Sequence, residues 1–260
     1  MKNLLKTAAA VLAAVTICAG CSQVKPNEVF TVADLDNKVI GVQLGTTGDI
    51  FASDIEGATI ERYKNGADAV QALKQGKVDA VIIDNEPAKV FVSKNDDLTI
   101  LEEEFAVEEY AIAIKKGNTE LTEAINGALA ELKADGTLDT ITANWIGEEA
   151  GMHPYVTPEG TTYPNGTLVM ATNAQFPPYE SLDGSEVIGF DPDMMRAVCD
   201  KLGYELKIEN IDFDSIIAAV DSGKADVGVA GMTVTEDRLK NIDFSDSYTT
   251  ATQVIIVRKN

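Results

Sequence analysis

The chain has 260 residues, 45% of them apolar, with 42 Asp and Glu against 21 Lys and Arg and a formal net charge of -21. That length suits one large domain or two lobes with real cores, and 20 Gly and 8 Pro are too ordinary for disorder or a fibrous repeat. The negative charge, with no Lys/Arg run to offset it, repels phosphate backbones and excludes nucleic acid as a partner.

In chain order, Met1–Gly20 sets Lys2 and Lys6 before an apolar run of small residues, too short for a comfortable membrane span. This predicts a leader removed from the mature protein. Its end, Ile17-Cys18-Ala19-Gly20-Cys21, resembles a bacterial lipobox, with Cys18 where such boxes usually carry Leu. The resemblance implies cleavage before Cys21 and lipid on that residue, anchoring the protein to the outer face of the cell membrane. A plain secretory leader is the alternative. Ser22–Glu28 continues as a short polar tether, and no later stretch approaches 18 apolar residues.

Strands and helices then alternate. Val39–Gln43 reads as a short apolar strand, followed by Gly45-Thr46-Thr47-Gly48-Asp49 and a helix. Gly66–Gln75 reads as a helix ended by Gly76, Asp79–Ile83 as a buried strand, and Tyr110–Ile114 as another. Leu121, Ile125, Leu129 and Leu132 share one helical face that stops near Gly136, and Thr137–Trp145 forms a second short helix. Glu148–Gly166 is an irregular connector, and Thr167–Thr172 starts a new strand from which the alternation resumes to Val257. Phe190, Met194, Met195, Val198 and Leu202 set Cys199 inside a helix, as a buried small hydrophobe and not a reactive thiol; no disulfide framework is present. The alternation predicts an α/β architecture with largely parallel sheets. Ala69–Ile83 and Ile216–Ala230 echo each other, each running helix, Gly-Lys-x-Asp, buried strand, which predicts two related lobes.

Enzyme chemistry is poorly supplied. His153 is the sole histidine and lies in the connector, no Cys/His cluster suits zinc, no Asp-rich loop suits calcium, and Gly45–Gly48 lacks the Gly-Lys-Ser/Thr of a phosphate loop. No cofactor is expected. Binding chemistry is better supplied. Val227–Val234 reads as a strand emerging at Ala230-Gly231-Met232-Thr233, with a helix capped by Thr235 and Arg238 just past the loop, where its fork suits a carboxylate. Taken alone, Arg238 reads better as half of a surface ion pair. Gly45–Asp49 adds backbone N–H groups at a helix start, and Asp84 ends a buried strand, where an acid faces a crevice and needs a cation.

At these residues the sequence resembles the polar amino-acid-binding proteins of bacterial ABC importers, solute-binding protein family 3. The matching segments are Leu168–Glu180 (LVMATNAQFPPYE), Gly189–Asp193 (GFDPD), Gly231–Arg238 (GMTVTEDR), Ile242–Ser247 (IDFSDS), Gly41–Asp49 (GVQLGTTGD) and Val78–Pro87 (VDAVIIDNEP). The resemblance implies a type II periplasmic-binding-protein-like fold: two α/β lobes with mixed sheets and a ligand cleft between them. It implies that Arg238 and Thr233, helped by Thr47, bind a ligand α-carboxylate, and that Asp84 and the carbonyl of Gly231 hold its α-ammonium. It further implies that Phe176 and Phe213 sandwich the side chain and that Asn173 and Gln43 meet its end. The partners implied are a free amino acid and an ABC-transporter permease, with the chain a monomer. Neutral Asn173 favours a polar neutral ligand, and Glu180 leaves a basic one open.

The motif order departs from the family, in which LVMATN comes first and GVQLGTTGD follows IDFSDS. The order here predicts a circular permutant whose connector Glu148–Gly166 joins the old ends. It also predicts that each lobe is one continuous segment, the smaller over 29–114 and the larger over 115–260, joined covalently only near Lys115–Asn118. Phe30 and Lys259 are then expected close together at the hinge. Two rivals stand: a lyase or dehydratase acting on an amino-acid-derived substrate on the same fold, and a sensory ligand-binding protein.

Overall fold

The computed structural model describes residues 24–147 and 151–260; the expected leader and lipidation site at Cys21 lie outside the described residues. The strands in chain order are β1 (Val39–Gln43), β2 (Thr59–Tyr63), β3 (Ala80–Asp84), β4 (Leu98–Ile100), β5 (Ala106–Tyr110), β6 (Ala113–Lys115) and β7 (Thr167–Thr172). Then follow β8 (Gln175–Phe176), β9 (Glu180–Asp183), β10 (Glu186–Ile188), β11 (Glu205–Asn210), β12 (Val227–Gly228), β13 (Ile242–Phe244) and β14 (Thr249–Arg258). The helices are α1 (Thr47–Ala52), α2 (Gly66–Lys74), α3 (Asn85–Ser93), α4 (Thr119–Ala134), α5 (Thr137–Trp145), α6 (Phe190–Leu202) and α7 (Ile216–Asp221).

These build two α/β lobes, each around one mixed sheet. The smaller lobe has the order β2-β1-β3-β14-β4, with β5 also paired to β14; the larger has β11-β7-β12-β6-β13. Parallel pairs β1/β2, β1/β3, β7/β11 and β7/β12 meet antiparallel strands β14 and β6 respectively. β3 is buried along its whole length, as its unbroken apolar run requires of a central strand covered on both faces. A third, small sheet, β8-β9-β10, rises from the larger lobe.

Local chemistry explains the echo between the lobes. Gly76 and Gly223 both take left-handed backbone (φ 68° and 74°) just past α2 and α7, a stop that suits glycine. Three residues later, Asp79 donates its N–H to the Val39 carbonyl and accepts the Val39 N–H on its side chain (2.7 and 2.9 Å). Asp226 does the same with Val169 (2.8 and 2.7 Å). Each aspartate therefore locks an early residue of the neighbouring parallel strand, the first of β1 and the third of β7. Asp79→Ala is expected to lower stability by about 1–3 kcal/mol, read from denaturant midpoints, because the strand's first N–H loses a charged acceptor.

Two expectations are corrected by the strand pairing. First, the lobes do not divide at Lys115. β6 already belongs to the larger lobe's sheet, whereas β14 returns to the smaller, pairing with β3, β4 and β5. The chain crosses between sheets twice, through Ala111–Ile112 and between Phe244 and Thr249. β14 makes ten residues of hydrogen-bonded ladder there, which outweighs continuity along the chain. Second, the two ends of the described chain meet, but not at the hinge. Asn27 donates its N–H to the Asn260 side chain (2.7 Å), while nearby Arg258 donates to the carbonyls of Leu73 and Val78 at the entry to β3. The crossing lies at the opposite end of β14, ten residues away.

The connector packs on the larger lobe. The Asp193 carboxylate accepts from both the Trp145 indole and the Tyr155 N–H (2.8 Å each), and Tyr155 donates to Asp200 (3.0 Å).

Candidate ligand-binding cleft

The two sheets point the carboxyl ends of their parallel strands at one another. From β1 comes Gln43, from β3 Asp84, and from β7 the segment Thr172–Asn173, which is where ligands collect in open α/β sheets. The cleft between them has about 310 Å³ of empty space, its open mouth included, and is lined by residues of both lobes. Contacts across it hold the lobes together: Gln43 Nε2 donates to Asn173 Oδ1 (3.1 Å), and Lys64 pairs with Asp212 (2.8 Å) near the rim.

Arg238 is 5% exposed and sits in a single 3-10 turn, Arg238–Lys240. The full helix expected after Thr235 does not form, although the Thr235 hydroxyl does accept the Arg238 N–H (3.2 Å). Glycine-free backbone from Met232 to Asp237 instead runs beside β5, where Thr233 makes an isolated bridge with Tyr110. The guanidinium donates to the Thr233 carbonyl of its own lobe (2.7 Å) and to the Gly45 carbonyl of the other (3.0 Å), and its carbon lies 5.6 Å from the Phe213 ring centre. Those two bonds use two of five N–H groups, leaving the rest of the fork for an anion in the cleft. Burial lowers its pKa, with Glu108 and Asp84 pulling the other way, and an arginine keeps its proton through such a shift.

Asp84 faces the same space from the smaller lobe, 6% exposed, with Tyr110 donating its hydroxyl to it. Burial, reinforced by the nearby Glu108 charge, raises the Asp84 pKa to about 7. An ammonium is the partner this carboxylate lacks.

Of the residues singled out in the sequence, Gln43, Thr47, Asp84, Asn173, Phe176, Phe213, Gly231 and Arg238 all line this one cleft. Thr233 stands behind Arg238, its carbonyl on the guanidinium and its hydroxyl donating to Glu108 (3.0 Å). The Gly45–Asp49 loop is built differently from expectation. The Asp49 side chain accepts the Gly45 N–H (3.0 Å) and pairs with Arg62 (2.8 Å), so part of the expected anion nest is satisfied within the loop. Its offering to the cleft is the Gly45 carbonyl on Arg238 and the Thr47 residue at the start of α1.

Sequence reasoning missed the crossing-strand residues. Glu108 on β5 is 4% exposed and accepts from Thr233 and from Gln253 of β14 (3.1 Å), and Gln253 reaches Thr47 (3.5 Å). No sequence signal announced Glu108: β5 exposes Val107 and Glu109 and buries Glu108 and Tyr110, so at Val107 and Glu108 burial runs against residue type. Gly231 has φ 55°, and a Cβ there would lie 2.9 Å from Phe176 and 3.0 Å from Tyr110. Gly231→Ala is therefore expected to displace Phe176 and weaken ligand binding at least tenfold with the fold retained, as read by calorimetry beside circular dichroism.

The model of the bacterial extracellular solute-binding proteins, family 3, matches residues 28–148 and 168–260, and the chain belongs to that family. The arginine-binding extracellular protein ArtP of Bacillus subtilis is 40% identical over 93 residues, which are 36% of each chain. The L-cystine-binding protein TcyJ of Escherichia coli K12 is 35% identical over 129 residues, 48% of each. The chain thus spans about half or less of the length of these relatives. Among solved structures, a mutant of the arginine-binding protein ArgBP from T. maritima aligns at 40% identity and a TM-score of 0.44, over 50% of this chain and 55% of that one. Among the described residues no helix is long and apolar enough to cross a membrane.

Proposed function

We propose that the protein is a receptor that captures one free amino acid between its lobes and delivers it to the permease of an ABC importer. The observation that carries this reading is the pair Arg238 and Asp84, a buried guanidinium and a buried carboxylate on opposite lobes of one narrow cleft. A zwitterion satisfies both and bridges the lobes, so closure and capture are one event. Thr47, Thr233 and Gly231 complete the grip on the α-carboxylate and α-ammonium. Phe176 and Phe213, both 8% exposed, flank the side chain, and Gln43 and Asn173 meet its polar end.

The side chain we assign is polar or basic. Asn173 and Gln43 suit a neutral amide, while Glu180, wholly buried on the same cleft with neither carboxylate oxygen satisfied, suits a cation. Relatives named for arginine and for L-cystine support that range. The motif order, together with the Asn27–Asn260 contact, supports reading the chain as circularly permuted, with 148–166 as the new join. The leader and Cys21 support lipid anchoring outside the cytoplasm, through a tether that enters the smaller lobe at its pole remote from the cleft.

Thermal denaturation with a panel of ligands tests the reading. Free polar or basic amino acids are expected to raise the midpoint, whereas the corresponding amines without a carboxylate, and acids without an amine, leave it unmoved. Stabilisation by the amine alone would contradict the role given to Arg238. Recovery of the amino acid unchanged after long incubation is expected and separates a receptor from a lyase.

A further inference from the structure

Glu180 at the start of β9, which lines the cleft, and Asp191 in the first turn of α6 just behind it lie side by side, each 0% exposed. Asp191 Oδ2 accepts the Gly231 N–H (2.9 Å). The remaining three oxygens, Glu180 Oε1 and Oε2 and Asp191 Oδ1, have no donor within 3.5 Å; the Tyr248 hydroxyl lies near Asp191 and partly offsets the rise in its pKa. The walls are aromatic: Tyr179 and Phe190 meet edge to face at 6.0 Å, and Phe190 and Tyr248 stack at 5.9 Å. The titratable groups that face the pair are Tyr179 beside β9, Tyr248 ahead of β14, Asp84 at the end of β3 and, more distantly through Tyr179, Glu86 of α3. None of these is a cation, and Arg238 on the same cleft is turned to the carbonyls of Thr233 and Gly45.

Two bare carboxylates in such a box repel each other and have lost their water, so one proton between them is the state that costs least. We infer that Glu180 and Asp191 share a single proton when the cleft is empty, and that a cationic ligand side chain seated on Glu180 expels that proton to solvent. This rests on the amino-acid-receptor reading and adds a proton exchange to it. The balance is simple: the pair goes from one negative charge to two, the ligand brings one positive charge, and one proton leaves to buffer. A neutral side chain brings no charge and leaves the shared proton in place. The directions of titration agree, since burial pushes the Glu180 carboxyl well up, with the Asp191 charge adding to it, and burial raises Asp191 to about 6.

Asp84 complicates the proton count in a way that can be subtracted. Its raised pKa means that any α-ammonium drives off part of a proton there, equally for neutral and basic amino acids. The excess for a basic ligand therefore isolates the Glu180–Asp191 pair.

The test is calorimetry of the intact protein with arginine, lysine and glutamine near neutral pH, repeated in buffers of different ionisation enthalpy. Arginine and lysine are expected to release about one proton more than glutamine, and the ratio of arginine to glutamine affinity is expected to rise about tenfold per pH unit while the pair still holds its proton. In Glu180→Gln the excess proton is expected to vanish for whatever basic ligand still binds. Basic amino acids binding with the same proton count as glutamine, an excess that survives Glu180→Gln, or binding of neutral amino acids alone would overturn the inference and leave the receptor reading standing. No binding by any amino acid would overturn both.

Discussion

Arg238→Ala is expected to cost about 2–5 kcal/mol of ligand binding, while both lobes stay folded. The guanidinium is buried, and on the proposed reading its removal would strand a ligand carboxylate in a desolvated cleft with only Thr47 and Thr233 to meet it. Arg238→Lys is expected to recover little. A lysine keeps the charge but cannot at once serve the Thr233 carbonyl, the Gly45 carbonyl and a carboxylate with one planar fork. The fold is expected to survive because Arg238 opens a short 3-10 turn and contributes to no sheet ladder. Calorimetry and circular dichroism on the two variants check both halves, and near wild-type affinity in either variant would remove Arg238 from the site.

The second large effect has opposite signs for stability and for binding. Asp84 is held near pKa 7 in the empty protein, mainly by burial, against an ordinary value of 3.8. Between those pH values the folded state keeps a proton that the unfolded state has lost, so stability falls as pH rises toward 7 and is flat above. Asp84→Asn removes that slope while leaving an oxygen to accept from Tyr110. The empty variant is expected to be more stable than wild type above pH 7, by up to a few kcal/mol, and equal to it near pH 4. Ligand affinity moves the other way, falling by about 2–5 kcal/mol as the ammonium loses its charged partner. Denaturation midpoints across pH and calorimetry at one pH separate the two. A variant that is less stable than wild type at high pH would show that Asp84 has a partner in the empty protein.

Much of this site could be read from the chain because each part is announced locally. Thr46 caps α1 through its hydroxyl on the Asp49 N–H, Asp84 follows four buried residues, and Arg238 follows a glycine loop; all three are short-range patterns. The crossing was not announced. Tyr110-Ala111-Ile112-Ala113-Ile114 is an unbroken apolar run that reads as one strand, yet Tyr110 ends the smaller lobe's β5 and Ala113 starts the larger lobe's β6. Periodicity says that such residues are buried and not which sheet buries them. The same holds for β14, whose apolar Val254–Val257 would fit either lobe until its ladder with β3 is seen. Glu108 was hidden for another reason. An acid in an acid-rich stretch reads as solvated surface, and only the packing of β5 against Thr233 and Gln253 turns Glu108 inward.

The central claim is that one zwitterion spans Arg238 and Asp84. The most direct measurement is calorimetric titration of the intact protein with each of the twenty amino acids. The expected result is one-to-one binding of polar or basic amino acids, lost on addition of either Arg238→Ala or Asp84→Asn. Absence of binding by every amino acid, or binding that survives both substitutions, would contradict it.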